Sequence, residues 1–240
     1  VALVKYEKKQ HLVTITLNRP EKLNAMNLDM LEALRNAWIQ YGSDEGAWLA
    51  LLTGEGRAFS AGADIDDIKS WAAHGRFFPG YYLETIAKDP YLAGKLDKPT
   101  MVAVNGLALG GGFDLVLRAD LRLAAKSAIF GVPEVDLGGV LLFWDNLPYA
   151  ITTEILVGGK ISAERAYEIG IINRVVSDGQ LLEHCLEWAD ELLAKPQPAL
   201  RAALRAMKEM RTATAPFSRT LELEYARLLG FELSKPIEKS

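Results

Sequence analysis

Cysteine occurs once in the 240-residue chain, at Cys185, which excludes an intrachain disulfide and any cysteine-based metal cluster. Histidine occurs three times, at His11, His74 and His184, never in the His-x-x-x-His spacing of a helical metal site, so no metal is expected. No basic run stands out among 27 basic and 31 acidic residues, and the net charge is -4. Nucleic acid and anionic membranes are therefore not expected as partners. No apolar run reaches membrane-spanning length, and Val1 to Glu7 reads as a strand and not as a signal peptide. These absences suggest a soluble protein of a reducing compartment, expected in the cytoplasm. What is plentiful is apolar: half of the residues are hydrophobic, enough for one substantial core or a core with a small helical subdomain.

The most informative stretch is Thr100 to Leu117. A buried-type strand, Thr100 to Val104, leads into Gly110-Gly111-Gly112 and then an apolar helix-like run with Asp114 in its first turn. Consecutive glycines let a ligand approach the main chain closely, and at a helix start they leave N–H groups aimed outward. A tight strand-to-helix crossing would also use glycines for packing alone, and both readings stand. A phosphate loop needs Lys-Ser/Thr after its last glycine, and the dinucleotide fingerprint needs a further glycine; Phe113-Asp114-Leu115 supplies neither. The corner suits a small oxyanion.

Upstream, Val1–Lys8 and Leu12–Leu17 alternate as an antiparallel pair. Asn27 caps a helix from Leu28 to about Tyr41 with Leu28, Leu31, Leu34, Ala37 and Trp38 on one face. Trp48–Thr53 reads as a buried strand, and Ala58 to Ile65 as a small-residue loop before another helix. An irregular aromatic patch, Trp71 to Tyr91, is broken by Pro79, Gly80 and Pro90. Asp120–Ala125 and Ala128–Gly131 read as strands. From Leu147 the chain reads as mostly helical, over Tyr149–Leu156, Ser162–Ile169, Asp178–Ala194, Pro198–Arg211 and Phe217–Glu232. The division expected is an α/β core over 1–146 and a helical subdomain over 147–240. No internal repeat is visible.

Two small-residue loops thus precede helices, and two N–H groups converging from separate loops make an oxyanion hole. Twenty residues after Asp114 stands Glu134, in Phe130-Gly131-Val132-Pro133-Glu134. Spacing alone leaves it an ion-paired structural carboxylate or a base with a tuned pKa, and favours the first. Other candidates read as ordinary: Ser60 as a loop hydroxyl, His74 as an exposed loop residue, Asp145 as a helix start, and His184 with Cys185 as helix neighbours that point apart.

The order of these pieces resembles the enoyl-CoA hydratase/isomerase (crotonase) family over almost the whole length. The matching segments are Ile15 to Pro20 with Leu23-Asn24-Ala25, Phe59 to Ile65, Lys98 to Asp114, Phe130 to Glu134, and Ile161 to Ala166 with Gly170 and Asn173 to Val176. The resemblance implies an α/β crotonase-like spiral of β-β-α repeats with a C-terminal helical subdomain used in packing and assembly into homotrimers or homohexamers. It implies an acyl-coenzyme A thioester as substrate and no bound cofactor. It assigns the oxyanion hole to the N–H groups of Ala63 and Gly111, and the two water-handling carboxylates to Asp114 and Glu134. It runs the coenzyme A past Ala61, Asp64, Ile65 and Gly110, with Lys22 and Leu23 near the adenine end. Hydration is the activity expected, with isomerisation by Glu134 alone as the alternative and a non-catalytic acyl-CoA binder as a third. Asp114 stands where family hydratases carry glutamate, one methylene longer. Trp71, Phe77, Phe78, Tyr81, Tyr82 and Tyr91, with Phe143 and Trp144 from the shortened loop after Glu134, are expected to border the acyl group and favour short, branched or cyclic chains.

Overall fold

The computed structural model describes residues 2–73, 88–136 and 147–212. Ten strands are present among them: β1 (Val4–Lys9), β2 (Leu12–Leu17), β3 (Leu49–Gly54), β4 (Ala58–Ser60), β5 (Thr100–Val104), β6 (Leu107–Leu109), β7 (Leu121–Ala125), β8 (Ile129–Gly131), β9 (Lys160–Ser162) and β10 (Arg174–Val176). The helices are α1 (Leu28–Ser43), α2 (Ile65–Ala73), α3 (Gly111–Arg118), α4 (Tyr149–Gly158), α5 (Ala163–Glu168), α6 (Leu181–Leu193) and α7 (Gln197–Thr212). The expected caps are in place: Asn27 accepts from the Met30 N–H at the start of α1, and Ser162 from Arg165 at the start of α5.

The strands form a six-stranded sheet ordered β1-β2-β3-β5-β7-β10 and a four-stranded sheet ordered β4-β6-β8-β9. β1 runs antiparallel to β2, and the rest of the large sheet is parallel. Each turn of the chain adds one strand to the large sheet and the next to the small one. β3 and β4 are followed by α2, β5 and β6 by α3, and β7 and β8 repeat the step. This is the spiral of β-β-α turns that the resemblance implies. The repeat lives in the hydrogen-bond topology and leaves no repeated sequence.

Both faces of the large sheet are covered, so its central strands are apolar on both sides, as buried parallel strands must be. Ala50, Leu52, Val102, Val104 and Ala124 face α1, α3 and the small sheet; Leu49, Leu51, Met101, Ala103, Leu123 and Ala125 face α6. α6 presents Leu181, Cys185, Ala189 and Leu192 at helical spacing to that second face. Each fully buried large side chain there contributes on the order of 1.5–3 kcal/mol. Cys185 is thus a core residue, its thiol pushed up to about 12 by burial, while His184 points out toward Glu187.

Four strands differ from the sequence reading. β4 falls in the stretch read as a loop, β6 lies hidden between Gly106 and Gly110, and β9 and β10 interrupt the stretch read as mostly helical. Each is three residues long, too short to show a period of two, and each exists because a neighbouring strand supplies its ladder. Asp178 begins a short 3-10 turn ahead of α6 and accepts from the Ser127 N–H. The helix expected over Phe217–Glu232 lies outside the described residues.

One buried cation ties the third turn together. The Arg122 guanidinium donates to the carbonyls of Leu117 (2.7 Å), Ala119 (3.2 Å) and Ile171 (3.1 Å). These close the end of α3 and the segment between α5 and β10. Arg122→Met would leave those carbonyls without their donor. The expected loss is roughly 3 kcal/mol or more, since each orphaned buried group costs about 1–3 kcal/mol. Urea unfolding at unchanged slope is the measurement.

Candidate active site

β4, β6 and β8 are parallel neighbours, so their C-terminal ends lie side by side. The three loops that leave those ends carry Ala61-Gly62-Ala63, Gly110-Gly111-Gly112 and Val132-Pro133-Glu134. The carboxyl edge of parallel strands is where α/β proteins place ligands.

The first loop is positioned by a ladder of one bridge, Met26 against Ala63. The Met26 N–H donates to the Gly62 carbonyl (2.7 Å) and the Asp64 N–H to the Met26 carbonyl (3.0 Å). A parallel ladder uses the groups on either side of the bridged residue, so the Ala63 N–H faces away from Met26. Behind it stands Asn24, fully buried, whose amide donates to the carbonyls of Glu55 (2.9 Å) and Ala58 (2.8 Å) and accepts from the Arg19 N–H. Leu23 and Asn24 both have positive φ, 53° and 55°. Such a pair is tolerated because Asn24 is held from three sides. Ser60, the last residue of β4 and not the loop residue expected, donates its Oγ–H to the Asn24 carbonyl (2.8 Å) and accepts from the Gly62 N–H (3.2 Å).

The second loop meets the first at glycines. A Cβ on Gly62 would stand 2.7 Å from the Leu109 carbonyl oxygen, and one on Gly112 would stand 2.5 Å from the Ser60 carbonyl oxygen. Gly110, at φ 51° and ψ -121°, donates its N–H to the Gly131 carbonyl (2.9 Å) and turns the chain into α3. Gly111 is the first residue of that helix, where no intrahelical acceptor exists for its N–H. Among the described residues neither the Ala63 nor the Gly111 N–H donates to a main-chain carbonyl.

Glu134 closes the site from the third loop. Its Oε1 stands 2.1 Å from where a Cβ on Gly110 would be, and its Oε2 is buried with no hydrogen-bond partner among the described residues. Burial, with the charge of Asp114 adding to it and the residue's own N–H opposing it, raises the carboxyl from 4.5 to about 7. The ion-paired role that spacing favours is therefore not the one observed: no cation pairs with Glu134 among the described residues. Asp114 is the paired one. It is 6% exposed, and its Oδ1 accepts from Arg118 Nε (3.0 Å) and Nη2 (2.8 Å) one helical turn on. Two unpaired donors, one titratable carboxyl poised near neutrality and one fixed carboxylate can stabilise a developing oxyanion and shuttle a proton beside it.

The sequence model of the enoyl-CoA hydratase/isomerase family matches residues 7–230. The chain belongs to that family. Carnitinyl-CoA dehydratase of Salmonella typhi is 38% identical over 214 residues, covering 85% of this chain and 78% of that protein. Enoyl-CoA hydratase EchA19 of Mycobacterium tuberculosis is 33% identical over 211 residues, covering 85% and 79%. Among solved structures, a carnitinyl-CoA dehydratase from Mycobacterium avium 104 superposes with a TM-score of 0.83 at 29% identity, covering 95% of this chain and 92% of that one. This enoyl-CoA hydratase/isomerase family member is an enzyme of the lyase or isomerase type.

Of the residues expected along coenzyme A, Lys22, Leu23, Ala61 and Ile65 stand about the first loop, and Gly110 opens the helix that leaves the second. The Ala61 N–H donates to the Leu23 carbonyl (2.9 Å), and Lys22 Nζ is 3.2 Å from Asp66 on α2. Ile65 is 44% exposed next to them. Asp64 is different: its carboxylate is buried, paired with Arg19, and accepts from the Asp66 N–H (3.0 Å) at the start of α2. It braces the loop and has little left for a ligand. Of the expected acyl-side aromatics, Tyr91 is core, stacked on Trp38 at 4.2 Å with its hydroxyl on the Leu115 carbonyl (2.6 Å). Phe77, Phe78, Tyr81, Tyr82, Phe143 and Trp144 lie outside the described residues, as do His74 and Asp145; Trp71 falls on α2. Sequence reading missed Arg19, the support of Asn24, and Arg118. The last had a signal, since an acid and a base four residues apart on a helix are neighbours.

Two outcomes follow for this enoyl-CoA hydratase/isomerase family member. Gly110→Ala should remove activity and lower stability, because its Cβ would collide with the Glu134 carboxyl and φ is positive. Activity and thermal unfolding of the same preparation measure both. Glu134→Gln should stabilise the fold at high pH. With a folded-state pKa of about 7 against 4.5, the folded protein holds more protons than the unfolded one across that window. Stability therefore falls as pH rises from about 4.5 to 7, by up to roughly 3 kcal/mol at 1.36 kcal/mol per unit. The glutamine variant should lose that slope in urea unfolding at pH 5 and pH 8.

Proposed function

We propose that this enzyme reversibly adds water across the double bond of an α,β-unsaturated acyl-CoA thioester, with Glu134 as the proton-transferring group. The observation that carries this reading is the Glu134 carboxyl, its Oε2 without a partner among the described residues and its titration raised to about 7, beside the Ala63 and Gly111 N–H groups that donate to no described main-chain carbonyl. Hydroxide is a poor nucleophile source at neutral pH, so water needs a base near its point of attack, and a carboxyl with a pKa near 7 serves in both proton directions. Glu134 takes a proton from water as the water oxygen bonds to the β-carbon. The π electrons move to the thioester oxygen, where the two N–H groups hold the enolate more strongly than the neutral carbonyl. Collapse of the enolate takes the proton from Glu134 onto the α-carbon, which restores the carboxylate. The relatives' names, a hydratase and dehydratases of CoA thioesters, accord with it.

A second reading, isomerisation with Glu134 moving a proton along the acyl chain, is favoured by the engagement of Asp114 Oδ1 by Arg118. A binding protein would gain nothing from an unpaired carboxyl beside an apolar chain. The coenzyme A arm is assigned to Lys22, Leu23, Ala61, Ile65 and Gly110. Assembly as a homotrimer or homohexamer in the cytoplasm belongs to the same reading. Tyr149 and Val157 on α4, each 78% exposed in the single chain, suit a subunit contact.

Turnover of an enoyl-CoA thioester in oxygen-18 water tests the reaction: hydration places the label in product, and isomerisation does not. Glu134→Gln should lower kcat by roughly 10²–10⁴-fold with KM little changed, because the amide keeps the shape but accepts no proton. In the hydration direction, kcat/KM should fall with unit slope below about pH 7 as Glu134 becomes protonated. A wild-type rate in the glutamine variant would remove Glu134 from the chemistry.

A further inference from the structure

Two carboxyl groups near one another in a buried site cannot both ionise freely; one is forced toward its neutral form. Here a residue outside the reacting centre is bound to one of them. Arg118 sits on α3 one turn after Asp114, and its Nε and Nη2 both donate to the same oxygen of that residue, Oδ1. Among the described residues Oδ2 accepts from none. The other charged and titratable groups packed around this end of α3 are committed elsewhere. Tyr91 donates to the Leu115 carbonyl, Arg122 to three carbonyls, and Asp120 accepts from Thr100 and Lys208. From the described part of the third loop, Glu134 bears on Asp114.

We propose, resting on the hydratase reading, that Arg118 is a positioning residue. It fixes the Asp114 carboxyl through Oδ1 so that the other oxygen, Oδ2, orients the incoming water, and leaves the proton transfer to Glu134. Aspartate is a methylene shorter than glutamate and swings through a smaller arc. Two charge-assisted bonds on Oδ1 hold that oxygen in place, and Oδ2, bonded to the same carbon, is then confined to a narrow range of directions. The same contact balances the charge of Asp114, which otherwise acts on Glu134 directly and pushes its titration upward. Arg118 thereby separates an accepting role from a proton-carrying role in two groups of the same chemical type.

The test uses the full-length enzyme and its best enoyl-CoA thioester, in oxygen-18 water, with wild type, Arg118→Met, Arg118→Lys, Asp114→Asn and the double variant Asp114→Asn/Arg118→Met. Loss of a charge-assisted contact predicts that Arg118→Met lowers kcat about 10- to 100-fold with KM nearly unchanged. Its acid limb in kcat/KM should move to higher pH, because Asp114 then acts on Glu134 unbalanced, whereas Asp114→Asn should move the limb to lower pH. Arg118→Lys should recover part of the rate. The double variant removes both charges of the Asp114–Arg118 pair together, so it folds where Arg118→Met is weakened, and it should be no slower than Asp114→Asn alone. A wild type that hydrates while Arg118→Met keeps its rate and its acid limb overturns the proposal and leaves the hydratase reading standing. So does a double variant whose losses add. A wild type that places no label in product overturns both.

Discussion

Glu134 Oε1 occupies the space that a side chain on Gly110 would fill, and nearly everything else in the site follows from that contact. For the carboxyl to lie against bare main chain, β6 must be followed by a glycine with positive φ, and β8 must run alongside so that Gly131 can accept the Gly110 N–H. The turn that makes room for Glu134 also starts α3, which leaves the Gly111 N–H unpaired at the edge of the same space. The carboxyl and the donor are thus consequences of one backbone geometry.

The first loop reaches the same place by a different route. Its anchor is polar: Asn24, Ser60, Arg19 and Asp64 hold the chain around Gly62 from behind, and the bridge to Met26 turns the Ala63 N–H outward. Preorganised donors act without reorganisation when charge develops, and this depends on supports that do not themselves touch the reacting atoms. The Asn-Arg-Pro and Leu-Asn-Ala segments, far from the glycine corner in sequence, are those supports.

A buried carboxyl and backbone donors without partners among the described residues lower stability, and the site is built on elements able to offset that cost. β3, β5 and β7 are buried on both faces, and α6 covers one face with an apolar stripe. The pairing of Asp114 with Arg118 serves the same economy of charge. It confines the electrostatic strain to a single group, Glu134, where a pKa near neutrality is of chemical use.

The sequence by itself determined the long elements and the inventory of the site. The alternation of Leu12–Leu17, the Asn27 cap with its apolar stripe, and the five-residue run Thr100–Val104 all match the structure, since local periodicity and capping need no distant partner. The glycine triplet, Ala63, Asp114 and Glu134 were legible as a set through their order. Tertiary structure decided what order could not. The three-residue strands β4, β6, β9 and β10 exist only because neighbours pair with them. Tyr91 left the aromatic patch for the core because Trp38 and the Leu115 carbonyl were there to receive it. Asp64 braces the first loop because Arg19 folds back onto it. Which of two carboxylates would be paired and which left to titrate was likewise a tertiary matter. A pKa depends on burial and on the nearest charge, and neither is a property of position along a chain.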